Sequence, residues 1–211
     1  MPTRNRARTA QPRLARTAAI TTALTAAVAA ALALSGCAAS KPATAYTPAT
    51  EATRNSPEAD RLNQQAVDLI ATDPRQAEDL LRRALAADLY HGPAHNNLGT
   101  LLLKRGQLYD AAGEFEWAKK LMPGHPDPRM NLGLTLELAG RTDDALASYR
   151  TALEVYPDHL ATMQALTRLQ LRSGRADDTT RRMLGEIAMR GDTERWRDWA
   201  RIEGVKAESV K

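Results

Sequence analysis

The chain has 211 residues, with 29 Lys+Arg against 25 Asp+Glu, a formal net charge of +4 and a pI near 9.4. That length suits one domain with appendages, and a single cysteine excludes an intramolecular disulfide framework and a Cys-rich zinc module. Leu occurs 27 times against 5 Val and 4 Ile, which favours helices over strands, while the basic excess invites a nucleic-acid or acidic-membrane partner until the charges are placed.

Residues 1–16 carry Arg4, Arg6, Arg8, Arg13 and Arg16 without an acidic residue, and residues 17–40 are uncharged and Ala-rich. A basic stretch followed by an apolar one is the layout of a secretory signal peptide, here residues 1–36. The run closes on Leu34-Ser35-Gly36-Cys37, which contains the chain's only cysteine. This resembles the bacterial lipobox. The resemblance implies a diacylglycerol on the Cys37 sulfur, cleavage before Cys37 and acylation, such as palmitoylation, of the new amine. Ser35 and Gly36 are small enough for a peptidase pocket, and a thiolate is the nucleophile such alkylation needs. The alternative is an uncleaved anchor, since 24 uncharged residues could span a bilayer, although an Ala-dominated helix is weakly hydrophobic. Ala38 and Ala39, where an Asp would imply inner-membrane retention, point by resemblance to the cell outer membrane. Removing residues 1–36 leaves 24 Lys+Arg against 25 Asp+Glu, a formal −1 over 175 residues. The nucleic-acid reading therefore rests on a segment expected to be discarded.

Residues 37–56 are expected to be a lipidated N-terminus and a tether. Pro, Thr and Ala dominate, and no apolar period is visible. A flexible chain of this length spans roughly 25 Å.

From residue 57 a period of 34 emerges. It pairs Asn97 with Asn131, Leu98 with Leu132, Gly99 with Gly133, Leu102 with Leu136 and Gly106 with Gly140. The same shift pairs Ala111 with Ala145, Phe115 with Tyr149, Ala118 with Ala152 and Pro123 with Pro157. On these residues the chain resembles a tetratricopeptide repeat (TPR) protein, departing at the Trp position, which holds His95 and Arg129. The resemblance implies an all-α superhelix of antiparallel helix pairs, A and B, in a domain over 57–211. About four units are expected: 92–125 and 126–159 clear, 57–91 and 160–191 degenerate. In 57–91 the B helix keeps Ala77, Leu81 and Ala84, and Ala66 and Leu69 fit if one residue is deleted before Asp73. In 160–191, Leu166 and Gly174 remain, but Met183 and Glu186 replace the aromatic and the Ala.

Small residues at Gly99 and Gly133 are expected to bring helix B close to helix A, with Phe115 and Tyr149 filling the space. Ser56-Pro57, Asp73-Pro74 and Asp127-Pro128 read as helix caps followed by Pro, with Thr142 and Asp158 as further caps. Gly106, Gly140 and Gly174 fall where the turn between helices needs a positive φ. A capping helix is expected over 192–204, running from about Glu194 to Glu203 and started by Asp192 or Thr193. Trp196, Trp199 and Ile202 would cover the last repeat, the alternative being a partner site.

No Gly-rich phosphate loop, H-E-x-x-H or nucleophile elbow is present, so no catalytic residue is assigned. His91, His125 and His159 recur at the 34-residue period, but equivalent helices of a stack lie too far apart for ligands that must sit about 2.0–2.1 Å from one ion. They read as turn residues, and no metal or cofactor is expected. The resemblance places positions 2, 5, 6, 9, 12 and 13 of each repeat on a concave face. Candidate groove residues are Asn96, Asn97, Thr100 and Lys104, then Met130, Asn131 and Leu134, with Asp127 and Glu137 beside them. Asn97 and Asn131 resemble the asparagine ladder with which some TPR proteins grip a peptide backbone. They are equally consistent with amides that solvate the groove or satisfy a local backbone group. Arg168 and Arg172 read as a solvated face or as contacts for an acidic partner.

These readings lead to an expectation of a lipid-anchored envelope scaffold facing the periplasm. It would bind envelope proteins or peptides, as an assembly or piloting factor for a pilus or secretion machine. The alternative is a regulatory adaptor for a periplasmic protease or peptidoglycan hydrolase. Neither reading makes the chain an enzyme.

Overall fold

The computed structural model describes residues 54–209. The signal peptide, Cys37 and most of the tether lie outside the described residues. Nine helices and no strands occur among them: α1 (Ser56–Leu69), α2 (Pro74–Ala87), α3 (Gly92–Lys104), α4 (Leu108–Leu121), α5 (Asp127–Leu138), α6 (Thr142–Val155), α7 (Leu160–Arg172), α8 (Asp178–Arg190) and α9 (Glu194–Ser209). Each helix packs on the next, so α1, α3, α5 and α7 act as A helices and α2, α4, α6 and α8 as B helices. No described helix is long and apolar enough to cross a membrane.

The pairs close through one size-matched contact. A Cβ on Gly99 would lie 2.7 Å from the Phe115 ring, and one on Gly133 would lie 2.6 Å from the Tyr149 ring. Both rings are fully buried. At the corresponding places the first repeat has Ala66 with Leu81 and the fourth has Thr167 with Met183, all buried. Where the A-helix residue grows beyond Gly, the B-helix residue is no longer an aromatic, which conserves the volume between the helices. The core forms two clusters, one from Ala59 to Leu132 and one from Ala145 to Ala200, with Leu136 packed against both.

Helix starts differ from the sequence expectation in several places. Asn55, not Ser56, caps α1 by accepting from the Glu58 N–H at 3.2 Å. The Ser56 hydroxyl instead donates to Asp88 at 2.7 Å, and Arg54 holds the same carboxylate through two bonds of 2.9 and 3.1 Å. Residues 54–56, expected in the tether, are thus tied to the first repeat. Burial alone would raise the Asp88 carboxyl, but hydrogen bonds from Arg54, Ser56 and the Tyr90 N–H, with the Arg54 charge, bring it down to about 2.

Asp73 caps α2 as expected, accepting from the Gln76 N–H at 3.0 Å. Asp127 and Thr142 are first residues of their helices and make no cap bond, and Asp158 pairs with Arg190. The expected Pro-preceding cap at Asp127 fails because the helix begins one residue earlier, the Met130 N–H donating to the Pro126 carbonyl at 3.0 Å, and the Asp127 carboxylate lies beside His125 and His159 instead. A capping box at Asp177 and Thr180 starts α8. Gly106, Gly140 and Gly174 have φ of 75°, 75° and 68°, as the turn requires.

Thr193 caps α9 by accepting from the Trp196 N–H at 3.3 Å, while Asp192 accepts from Gln164 at 3.0 Å. The helix continues to Ser209, beyond the expected 204. Its inner face is Ala200, 1% exposed, with Trp196 and Trp199 against the second core, and the two indoles meet edge to face. Ile202 does not join them, since it is 56% exposed.

Candidate peptide-binding groove

The A helices lie side by side, and hydrogen bonds stitch one face of them together. Asn97 Nδ2 donates to Asn63 Oδ1 at 2.8 Å, and Asn131 Nδ2 donates to Asn96 Oδ1 at 3.1 Å. The two bonds are equivalent. With the one-residue deletion before Asp73, Asn63 falls in register with Asn96, at the fifth position of its repeat. Each sixth-position amide therefore bonds back to the fifth-position amide of the preceding repeat. Asn97 and Asn131 keep their carbonyl oxygens, and Asn63 and Asn96 keep their NH₂ groups, for other partners. The file ends where the fifth position becomes Met130 and the sixth becomes Ala165.

Asn63 is absent from the sequence-derived candidates. Its signal was the Asn recurring at the repeat spacing, blurred by the deletion. Thr100 donates its hydroxyl to the Asn96 carbonyl at 2.9 Å, so it acts within its own helix. Lys104 is exposed, and Leu134 is half-buried. Met130 is half-buried against the second core.

Further along the face, Arg168 and Arg172 are neither merely solvated nor free for a partner's carboxylate alone. Arg168 lies 3.3 Å and Arg172 2.9 Å from Glu137 Oε1, while Glu137 Oε2 accepts from the Tyr149 hydroxyl at 2.9 Å. The Glu137 side chain is 5% exposed; those of the arginines are 42% and 60%. Burial, reinforced by the Glu137 charge and hydrogen bond, pushes the Tyr149 hydroxyl far above its ordinary range, which keeps it a donor. Two guanidiniums share one carboxylate, so the cluster keeps a net positive charge. The ring that fills the Gly133 space also holds Glu137, and Glu137 holds the next repeat's arginines.

The in-register histidines divide between two carboxylates. His91 Nδ1 caps α3 from the Ala94 N–H at 3.0 Å, and its Nε2 lies 2.8 Å from Asp60. His159 Nε2 lies 3.2 Å from Asp127 Oδ1, and His125 Nδ1 lies 3.6 Å from Asp127 Oδ2. Two of the three therefore approach one Asp, which the repeat spacing alone did not suggest. No group of three or more potential metal ligands occurs among the described residues. His95, at the Trp position of the repeat pattern, is 2.6 Å from Glu114 and 2.8 Å from the Leu89 carbonyl, and Trp117 stacks on it. On the B-helix side, a cleft of about 920 Å³ opens between α4 and α6, lined by Tyr109, Trp117, Leu132 and Leu136 with charges of both signs.

A family model described as tetratricopeptide repeat matches residues 71–126 and 96–159. The helix pairs over that span are tetratricopeptide repeats. Similar solved structures agree with the fold. The first TPR of Spaghetti (RPAP3), bound to the HSP90 peptide SRMEEVD, has a TM-score of 0.55 at 15% identity, covering 58% of this chain and 98% of its own. MamA from Desulfovibrio magneticus RS-1 has a TM-score of 0.55 at 19% identity, covering 64% and 78%. An O-GlcNAc transferase mutant from Thermobaculum terrenum has a TM-score of 0.60 at 25% identity, but only 27% of that chain is covered against 65% of this one. No curated protein matches. The Asn file and the Glu137 cluster both lie on the A-helix face.

Proposed function

We propose that this protein is a lipid-anchored scaffold of the bacterial cell envelope that holds an extended or helical partner segment in its concave groove. The TPR fold makes protein–protein interaction its general role, and the repeats carry no assigned catalytic group. The observation that carries the groove reading is the Asn file. Its amides are pre-oriented by their bonds to one another, yet each keeps an unused donor or acceptor for a partner's backbone. The RPAP3 repeat, with its bound peptide, is a solved example of the same fold holding a short segment. The lipobox Leu34-Ser35-Gly36-Cys37 supports anchoring through Cys37, with the outer membrane as the favoured site. Anchoring would concentrate the groove at the membrane, in keeping with an assembly or piloting role for a pilus or secretion machine.

Two experiments test this. Cys37→Ala should move the protein from the membrane fraction to the soluble fraction and abolish palmitate labelling; retention with unchanged labelling refutes the anchor. Recovery of a partner from envelope extract should fall with Asn97→Ala/Asn131→Ala while the circular dichroism spectrum stays helical. Unchanged recovery refutes the groove.

A further inference from the structure

The A-helix face changes character from helix to helix. Ninth and thirteenth positions are Thr100 and Lys104 on α3, Leu134 and Leu138 on α5, and Arg168 and Arg172 on α7. Allowing for the deletion, α1 presents Val67 at the ninth position. The capping helix extends the series: α9 begins at Glu194, 34 residues after Leu160 begins α7, and packs on α8 as a fifth A helix would. Its Ile202, Val205 and Lys206 therefore fall in register with Arg168, Leu171 and Arg172.

Val67, Leu138, Ile202 and Val205 are 42%, 59%, 56% and 68% exposed. Four apolar side chains open to solvent at register positions of one face are not needed by either core, and they alternate with the cations. From α1 to α7 the rows read apolar, cationic, apolar, cationic, and α9 adds the exposed apolar pair Ile202 and Val205 beside Lys206. Carboxylates on this face gather at the opposite ends of the A helices, where Asp60 and Asp127 face histidines and Asp198 pairs with Arg201. The exception, Glu137, is buried beneath two arginines, and Lys206 is bridged by Glu203.

We propose, resting on the groove reading above, that the partner is an acidic, extended protein segment in which apolar and acidic side chains alternate about every three residues. Neighbouring helix axes lie roughly 8–10 Å apart, and a chain extended as polyproline II, with three residues per turn and roughly 3.1 Å per residue, turns its every third side chain to the groove, about once per helix. Apolar side chains meet Leu134 and Leu138 and the Ile202–Val205 patch. Carboxylates meet Lys104 and the surplus charge of the Arg168–Arg172 pair.

The test is fluorescence anisotropy with the full-length protein in detergent and a synthetic peptide Leu-x-x-Glu-x-x-Leu-x-x-Glu-x-x-Leu, x being Gly or Ser. Controls are the same peptide with Lys for Glu and a scrambled peptide with its charges blocked together. The alternating acidic peptide should bind at least about tenfold more tightly than either control, and its binding should weaken with salt. Arg172→Gln, which leaves Arg168 on Glu137, should weaken it several-fold and flatten the salt dependence. Ile202→Ser/Val205→Ser, at exposed positions, should also weaken it, and Tyr109→Ser in the B-side cleft should not. Equal binding of the Lys or scrambled peptide, or indifference to both groove variants, overturns the proposal. If no peptide binds while Asn97→Ala/Asn131→Ala still loses an extract partner, the alternation fails and the groove stands. If that partner too is retained, both fail.

Discussion

Gly133→Ala isolates the contact on which the third repeat closes. An added Cβ would sit 2.6 Å from two carbons of the Tyr149 ring, about 1 Å inside normal contact. The ring is fully buried, and its hydroxyl is bonded to Glu137, so it cannot swing aside without giving up that bond. In an open helix Gly→Ala stabilises by about 0.5–1 kcal/mol. Here overpacking costs about 1–3 kcal/mol, and loosening a hydrogen bond to a carboxylate costs about 1.5–3 kcal/mol more if it breaks. The net expectation is a loss of about 2 kcal/mol, read as a lower urea midpoint at unchanged slope. Gly113→Ala is the internal reference, because a Cβ there meets nothing within 4 Å; it should gain about 0.5 kcal/mol. Gly133→Ala/Tyr149→Leu imitates the Ala66–Leu81 pair of the first repeat and should recover part of the loss. A Gly133→Ala protein as stable as Gly113→Ala would refute the close-approach argument.

Other outcomes follow from the same contacts. Tyr149→Phe removes the donor to Glu137 while the ring and both arginines remain, and should cost about 1–2 kcal/mol by urea denaturation. Asp88 has a folded pKa of about 2 against an ordinary 3.8, so its stabilising effect is complete above the ordinary value and is lost as pH falls through about 2. Stability measured from pH 5 to pH 2 should therefore drop in the wild type by up to about 2 kcal/mol more than in Asp88→Asn, and parallel curves would refute the Asp88 assignment. Asn97→Ala removes one inter-repeat bond on a half-buried face and should cost about 0.5–1.5 kcal/mol by the same assay.

The clear repeats were legible because their constraints are local and repeat. A close approach needs Gly99 and Gly133, a left-handed turn needs Gly106, Gly140 and Gly174, and a 34-residue spacing places each in register. The degenerate repeats were harder because their solution to the same packing problem used other volumes, Ala66 with Leu81 and Thr167 with Met183. Helix caps were read less well. A carboxylate or hydroxyl near a helix start can serve a distant residue instead, as Ser56 does with Asp88 and Asp158 with Arg190.

The groove shows the same division. Sequence register placed Asn97, Asn131, Arg168 and Arg172 on one face, because a repeat spacing fixes which side of a helix a residue occupies. It could not say what they touch, since side-chain partners 31 to 35 residues apart depend on how neighbouring helices are stacked. Periodicity and local steric demand thus determined the helix pairs, their turns and the side of the A helices on which those residues lie. Tertiary packing decided that the asparagines bond one another, that Glu137 gathers the arginines, and that α9 turns Ala200 rather than Ile202 to the core. Those are choices among long-range neighbours, which residue type and spacing leave open.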